Sequence, residues 1–223
     1  MKTNQNTPAV TKIVVALLAV WLALVTFLAG HGNLVAPAGT PPIPIVLTVI
    51  LPIAVFLGAF RLSKNFREFV MTFDLRLAVM IHAWRFAGFG FLALYANGVL
   101  PGIFAWPAGV GDMAVGITAP RILFALIQRP GFAASKSFIT WNLFGILDLV
   151  VAVGMGGLTS MLASGVPGEI TTRPMSQLPL ALIPTFLVPI FVMLHLTALF
   201  QSRRLSELHN NQTAIATSLA NAH

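Results

Sequence analysis

Cysteine is absent from the 223 residues. That removes disulfides, iron–sulfur clusters, covalently attached c-type haem and thiol catalysis in one step. Charge is scarce too: 9% of residues are Asp, Glu, Lys or Arg, against about a quarter in an ordinary soluble domain. Catalytic signatures are missing as well, with no His-Glu-x-x-His, P-loop, Gly-x-Ser-x-Gly or paired aspartate-rich loop motif in the chain. His31 and His223 fall in polar stretches without a neighbouring ligand that would build a metal site. No internal repeat is evident.

What is abundant is apolar surface. Hydrophobic residues make up 57% of the chain, more than a soluble core of this size absorbs. A spanning helix needs about 20 mostly apolar residues to cross hydrocarbon about 30 Å thick. Six runs approach that length, at residues 13–30, 43–60, 77–96, 106–127, 138–161 and 178–200. Turn residues separate them: Gly-His-Gly and residues 37–42, the charged stretch 61–76, residues 97–102, Arg129-Pro130-Gly131, and residues 167–174. The expected fold is therefore all-α, a polytopic transmembrane bundle of six spanning helices. Its expected organisation is a cytoplasmic N-terminus (1–12), a six-helix membrane domain (13–200) and a polar cytoplasmic tail (201–223). The first run is long for a secretory leader and lacks a clean small-residue cleavage pair before Gly30-His31.

The charges that do occur set an orientation. Lys2, Lys12, Arg61, Lys64, Arg67, Arg76, Arg129, Lys136, Arg203 and Arg204 all flank alternate connections, whereas the opposite connections carry Arg173 alone, beside Glu169. Lys and Arg stay on the cytoplasmic side, so both termini are expected inside a multi-pass cytoplasmic (inner) membrane protein. Arg85, Arg121, Asp112 and Asp148 lie within runs and cancel formally. With Glu68, Asp74 and Glu207, the basic side accounts for the whole net charge of +7. The lipid bilayer is thus the expected partner, and nucleic acid is not needed to explain the basicity.

Ionisable groups in hydrocarbon cost about 2.5–3.5 kcal/mol each and face the bundle interior. Counting helical rise places His82, His195 and Arg121 toward the cytoplasmic side, Arg85 and Asp148 near mid-depth, and Asp112 toward the outside with no opposite charge at its level. His82 and Arg85 share a face, as do Trp141, Gly145, Asp148, Ala152 and Met155, with Asn142 at the shoulder. Arg85 and Asp148 are expected partners. The fourth run, with Gly109, Gly111, Asp112, Gly116 and Pro120, reads as a bent or interrupted helix. On the sixth, Pro179, Pro184 and Pro189 should leave the carbonyls of Leu180 and Thr185 without their usual donors, while Gln177 and His195 mark the two ends of one face.

Four readings follow. In a small transporter or permease-like bundle, expected as a homo-oligomer, Asp112, Arg85, Asp148, Arg121, His82, His195, Asn142 and Gln177 line a substrate or ion path. In an accessory or lipid-interacting protein the same groups are structural. In a b-type haem or quinone protein, His82 and His195 supply two axial ligands; no cofactor is expected otherwise. A membrane enzyme with Asp112 or His82 as base lacks a nucleophile at helical spacing.

Overall fold

The structure is a computed structural model that describes the backbone of residues 7–220 and the side chains of residues 8–208; Lys2 and His223 lie outside the described residues. The described residues are helical, with no strand. Six helices are long and apolar enough to cross a bilayer, which is the makeup of a multi-pass membrane protein.

The first two spans are the helices α1 (Thr7–Gly30) and α2 (Ile43–Leu62). The charged stretch after them, read from sequence as a connection, holds a helix of its own, α3 (Lys64–Thr72). The Ser63 hydroxyl caps α3 by accepting from the Phe66 amide at 3.3 Å, satisfying one of the orphan donors of its first turn. Arg67 reaches back to donate to the carbonyls of Phe60 and Arg61, and Gln201 donates to those of Val70 and Phe73. Carbonyls left over at two helix ends are thereby met, and the connection is tied to the last helix.

The third span is built in three pieces: α4 (Leu75–His82), a 3₁₀ stretch (Ala83–Gly88) and α5 (Phe89–Ala96). Asp74 caps its start through the Arg76 amide at 2.8 Å. The fourth and fifth spans are α6 (Gly102–Gln128) and α7 (Lys136–Leu162), the latter capped by Ser135 through the Phe138 amide at 3.2 Å. The sixth opens with a π turn (Ile183–Leu187) and continues as α8 (Val188–Ala220), one helix running into the polar tail.

Three expectations need correction. Of the bent or interrupted helix expected over the fourth run, the interruption is absent, since α6 is a single 27-residue helix that contains Pro107 and Pro120; the interruption falls on the third span, which contains no proline. The sixth span begins at Ile183 rather than at 178, because residues 173–182 form a 3₁₀ turn and tight turns. Gln177 therefore sits before that helix and is exposed. Arg121 is exposed as well. At about 1.5 Å per residue α6 is about 40 Å long, more than a helix needs to cross hydrocarbon about 30 Å thick.

The spans pack in layers. At the basic end Val79, Val115, Ala119, Phe138, Trp141 and Ala198 form one apolar cluster, and at the opposite end Phe91, Phe104, Ala108 and Met175 belong to another. The buried charges lie between these layers. α1 is peripheral: most of its large side chains are exposed, and Val25 and Ala29 are its buried contacts. Its Trp21 indole donates at 3.0 Å to the Thr185 carbonyl, four residues before Pro189, which has no amide hydrogen to offer it.

Candidate functional site: a closed ion network beneath a cavity

A 3₁₀ helix has three residues per turn, so side chains at i and i+3 stand directly above one another. In the third span this stacks His82, Arg85 and Gly88 on one buried face. The neighbouring helices approach that face through glycine. A Cβ at Gly116 would strike the backbone of Arg85 and Phe86, one at Gly111 would fall on the Asp148 carboxylate, and one at Gly145 would fall on the His195 ring. The small residues of α6 and α7 are thus the space in which the polar groups sit.

Arg85 is the hub. Its side chain has no solvent exposure, and each guanidinium nitrogen is engaged. Nε donates to Asp112 Oδ1 at 2.6 Å, and Nη2 donates to Asp148 Oδ2. Nη1 lies 3.3 Å from the Gly145 carbonyl and 3.1 Å from His195 Nε2. An arginine has no acceptor, so His195 Nε2 must be the accepting nitrogen, and Nδ1 carries the proton that it donates to Asn142 Oδ1 at 2.9 Å. Asn142 in turn donates to the Phe138 carbonyl at 2.8 Å. His195 is therefore neutral in this arrangement. The Phe191 ring lies 5.7 Å from the guanidinium carbon, adding a cation–π contact in a dry setting.

His82 completes the cluster on the basic side. Its ring stacks on His195 with centroids 3.8 Å apart and planes 17° from parallel, and Trp141 meets it edge-on at 5.7 Å. Trp141 is held by its own bond to Thr118 Oγ1 at 2.9 Å. Neither nitrogen of His82 has a hydrogen-bond partner among the described residues.

Beneath the opposite end lies a cavity of about 330 Å³. Its outer rim is made by the connections around Ala36, Ala38 and residues 165–173, and Asp112 and Leu149 are the lining residues farthest from those connections along α6 and α7. Asp112 is ten residues into α6, about 15 Å along the axis. Glu169 fixes the rim loop: its carboxylate accepts from the Ser164 amide at 2.9 and 3.0 Å, the Ser164 hydroxyl at 3.0 Å and the Gly165 amide at 2.9 Å. These bonds, the Ser164 amide first, hold the Glu169 carboxyl below the usual carboxylate range.

Of the eight residues singled out from sequence, the fold brings together six: Arg85, Asp112, Asp148, His82, His195 and Asn142. Arg121 and Gln177 stand apart. The expectation that Asp112 has no opposite charge at its level is corrected, since Arg85 bridges Asp112 and Asp148. Sequence reasoning missed the 3₁₀ stretch, whose one available signal was Gly88 continuing the three-residue spacing of His82 and Arg85. The connections at residues 37–42 and 167–174 are legible in the sequence, but not that they rim a cavity. The histidine pair does not fit a bis-histidine haem. Two axial ligands must aim nitrogens at one iron from opposite sides, but these rings lie flat on each other and both His195 nitrogens are engaged.

Charges enclosed by apolar helices, with a cavity leading to them from one end, mark a multi-pass membrane protein with a polar centre. The chain belongs to the family described as Domain of unknown function (DUF8737), whose model matches residues 42–203 and so takes in every residue of the network. No curated protein and no solved structure matches it.

Proposed function

We propose that this protein is a small transporter or permease-like bundle of a cytoplasmic (inner) membrane, with both termini inside. In this reading the structure is the outward-facing state, open from the external side as far as Asp112 and closed below it. The observation that carries the reading is the cavity of about 330 Å³ whose deepest polar group, Asp112, is hydrogen-bonded to a fully buried arginine. A merely structural ion network has no need of a path by which the external solution reaches one of its carboxylates. A transport site needs the contrary, a charged group that the external solution reaches and that is linked to groups beyond the barrier. Arg85, Asp148 and His195 provide that link, and the apolar layer around Val115, Phe138 and Trp141 is the closed side.

The test is flux. Purified protein in vesicles loaded with a pH-sensitive dye is challenged in turn with inorganic cations, organic cations, organic anions and neutral solutes. At least one class should change luminal pH or vesicle volume in wild-type vesicles and fail to do so with Arg85→Ala or Asp112→Asn. Vesicles that stay inert to every class would leave the network a structural device, as in an accessory protein.

A further inference from the structure

From the shape and charge of the cavity we infer that its ligand is a monovalent organic cation with an apolar body, an amine or quaternary ammonium, bound with its charge against Asp112. This rests on the transporter reading for its purpose but not for its geometry.

The walls are apolar. Phe91, Phe104, Leu149, Met175, Ile183 and Val188 line the space, and about 330 Å³ is at the small end of ligand pockets, which run from about 300 to 1,000 Å³. The uncharged polar groups are hydroxyls, those of Ser160, Thr171, Thr172 and Ser176, and Asp112 is the ionisable group at the inner end. At the rim Glu169 and Arg173 cancel, so no net charge guards the opening.

The inner end is unbalanced. Two carboxylates, Asp112 and Asp148, share one guanidinium, and His195, which accepts from Arg85, contributes no charge. His82, stacked behind His195, has no polar contact. One formal negative charge is left over. Of the two carboxylates, Asp112 has the more open side chain, 16% exposed against 5% for Asp148. An anion would find no donor there, since every guanidinium nitrogen is engaged and Arg85 is sealed from the cavity. A neutral solute would leave the surplus negative charge uncompensated. A cation with an apolar body satisfies both the wall and the charge.

The same carboxylate also takes a proton, and it cannot hold both. Cation and proton therefore compete at Asp112, with Arg85, Asp148, His195 and His82 the ionisable groups facing it from the third, fifth and sixth spans and Glu169 and Arg173 at the rim. Exchange at one group is the simplest chemistry for coupling an inward flow of protons to outward movement of the cation.

Three probes of one shape separate the alternatives: benzyltrimethylammonium, its neutral isostere neopentylbenzene, and phenylacetate. Binding to the detergent-purified full chain is measured by calorimetry. Benzyltrimethylammonium should bind, more weakly as the buffer is acidified, and Asp112→Asn should weaken it at least about tenfold, as truncating one member of a desolvated charge pair does. Gly156→Leu, about 12 Å along α7 from Asp148, fills the wall away from the network and should abolish binding while the protein still melts cooperatively. Equal binding of the neutral isostere or of phenylacetate would overturn the inference, as would wild-type affinity in Asp112→Asn. Cation binding with inert vesicles would keep this inference and remove the transporter reading. Flux of another solute without cation binding would do the reverse.

Discussion

His82 lies flat on His195 at 3.8 Å, yet only His195 is hydrogen-bonded. Two buried ring nitrogens without partners cost about 1–3 kcal/mol. His82→Phe keeps an aromatic ring against His195 and Trp141 and removes both orphans, so the melting temperature in detergent should rise. A drop beyond what a slightly larger ring explains would show that a His82 nitrogen has a partner in the folded protein.

Arg85 is hydrogen-bonded to two carboxylates, so its loss strands both. Arg85→Met should therefore destabilise more than Asp112→Asn or Asp148→Asn, by the roughly 3–5 kcal/mol typical of an uncompensated buried charge. Adding either Asn change to Arg85→Met should recover part of that loss. Strictly additive losses in chemical-denaturation cycles would mean that the three side chains do not interact.

Space, not only charge, defines the network. Gly111→Ala places a methyl group on the Asp148 carboxylate and should lower stability by several times RT. Gly58→Ala is the control: nothing lies within 4 Å of its added carbon, and in mid-helix alanine should gain about 0.5–1 kcal/mol over glycine. Equal effects of the two substitutions would count against close approach of α6 and α7.

Orientation is open to direct measurement. Reporter fusions after Phe60, Gln128 and Phe200 should read cytoplasmic, and fusions within residues 36–40, at Gly102 and at Gly168 external. Ten Lys and Arg at one end against Arg173 at the other motivate this. A cytoplasmic signal at Gly168 would invert the sixth span and the cavity with it.

The rim loop should loosen in acid. Glu169 has a depressed carboxyl pKa in the fold, so the stability it confers is present above the ordinary carboxylate value and is lost as pH falls through the lower folded value. Amide exchange at Ser164 and Gly165, corrected for intrinsic rates, should speed up in that acid range, and in Glu169→Gln it should be faster already at neutral pH. Unchanged protection in Glu169→Gln would show that the carboxylate does not hold the loop.

Much of this was legible in the residues. Helical rise placed His82 level with His195 and Arg85 level with Asp148, and both pairs are in contact. The proline rhythm left the Thr185 carbonyl without its usual donor, and a side chain from another helix, Trp21, supplies one. Counting depth along uniform α-helices isolates Asp112. The 3₁₀ stretch rises about 2.0 Å per residue instead of about 1.5 Å, and an arginine extends far from its own Cα, so Arg85 meets Asp112 as well. Gln177 and Arg121 were misplaced for a shared reason: composition gives the length of an apolar run but not where its helix begins or which end overruns the bilayer.

The bond between Trp21 and Thr185 joins a peripheral helix to the π turn beside the cavity. Water is not there to replace a lost hydrogen bond in hydrocarbon. The π turn therefore cannot change shape alone: either α1 travels with it or the buried Thr185 carbonyl loses its donor. The first helix, which lies outside the matched family region, is thus a brace clipped to one wall of the cavity, and the stiffness of that wall is set from outside the bundle.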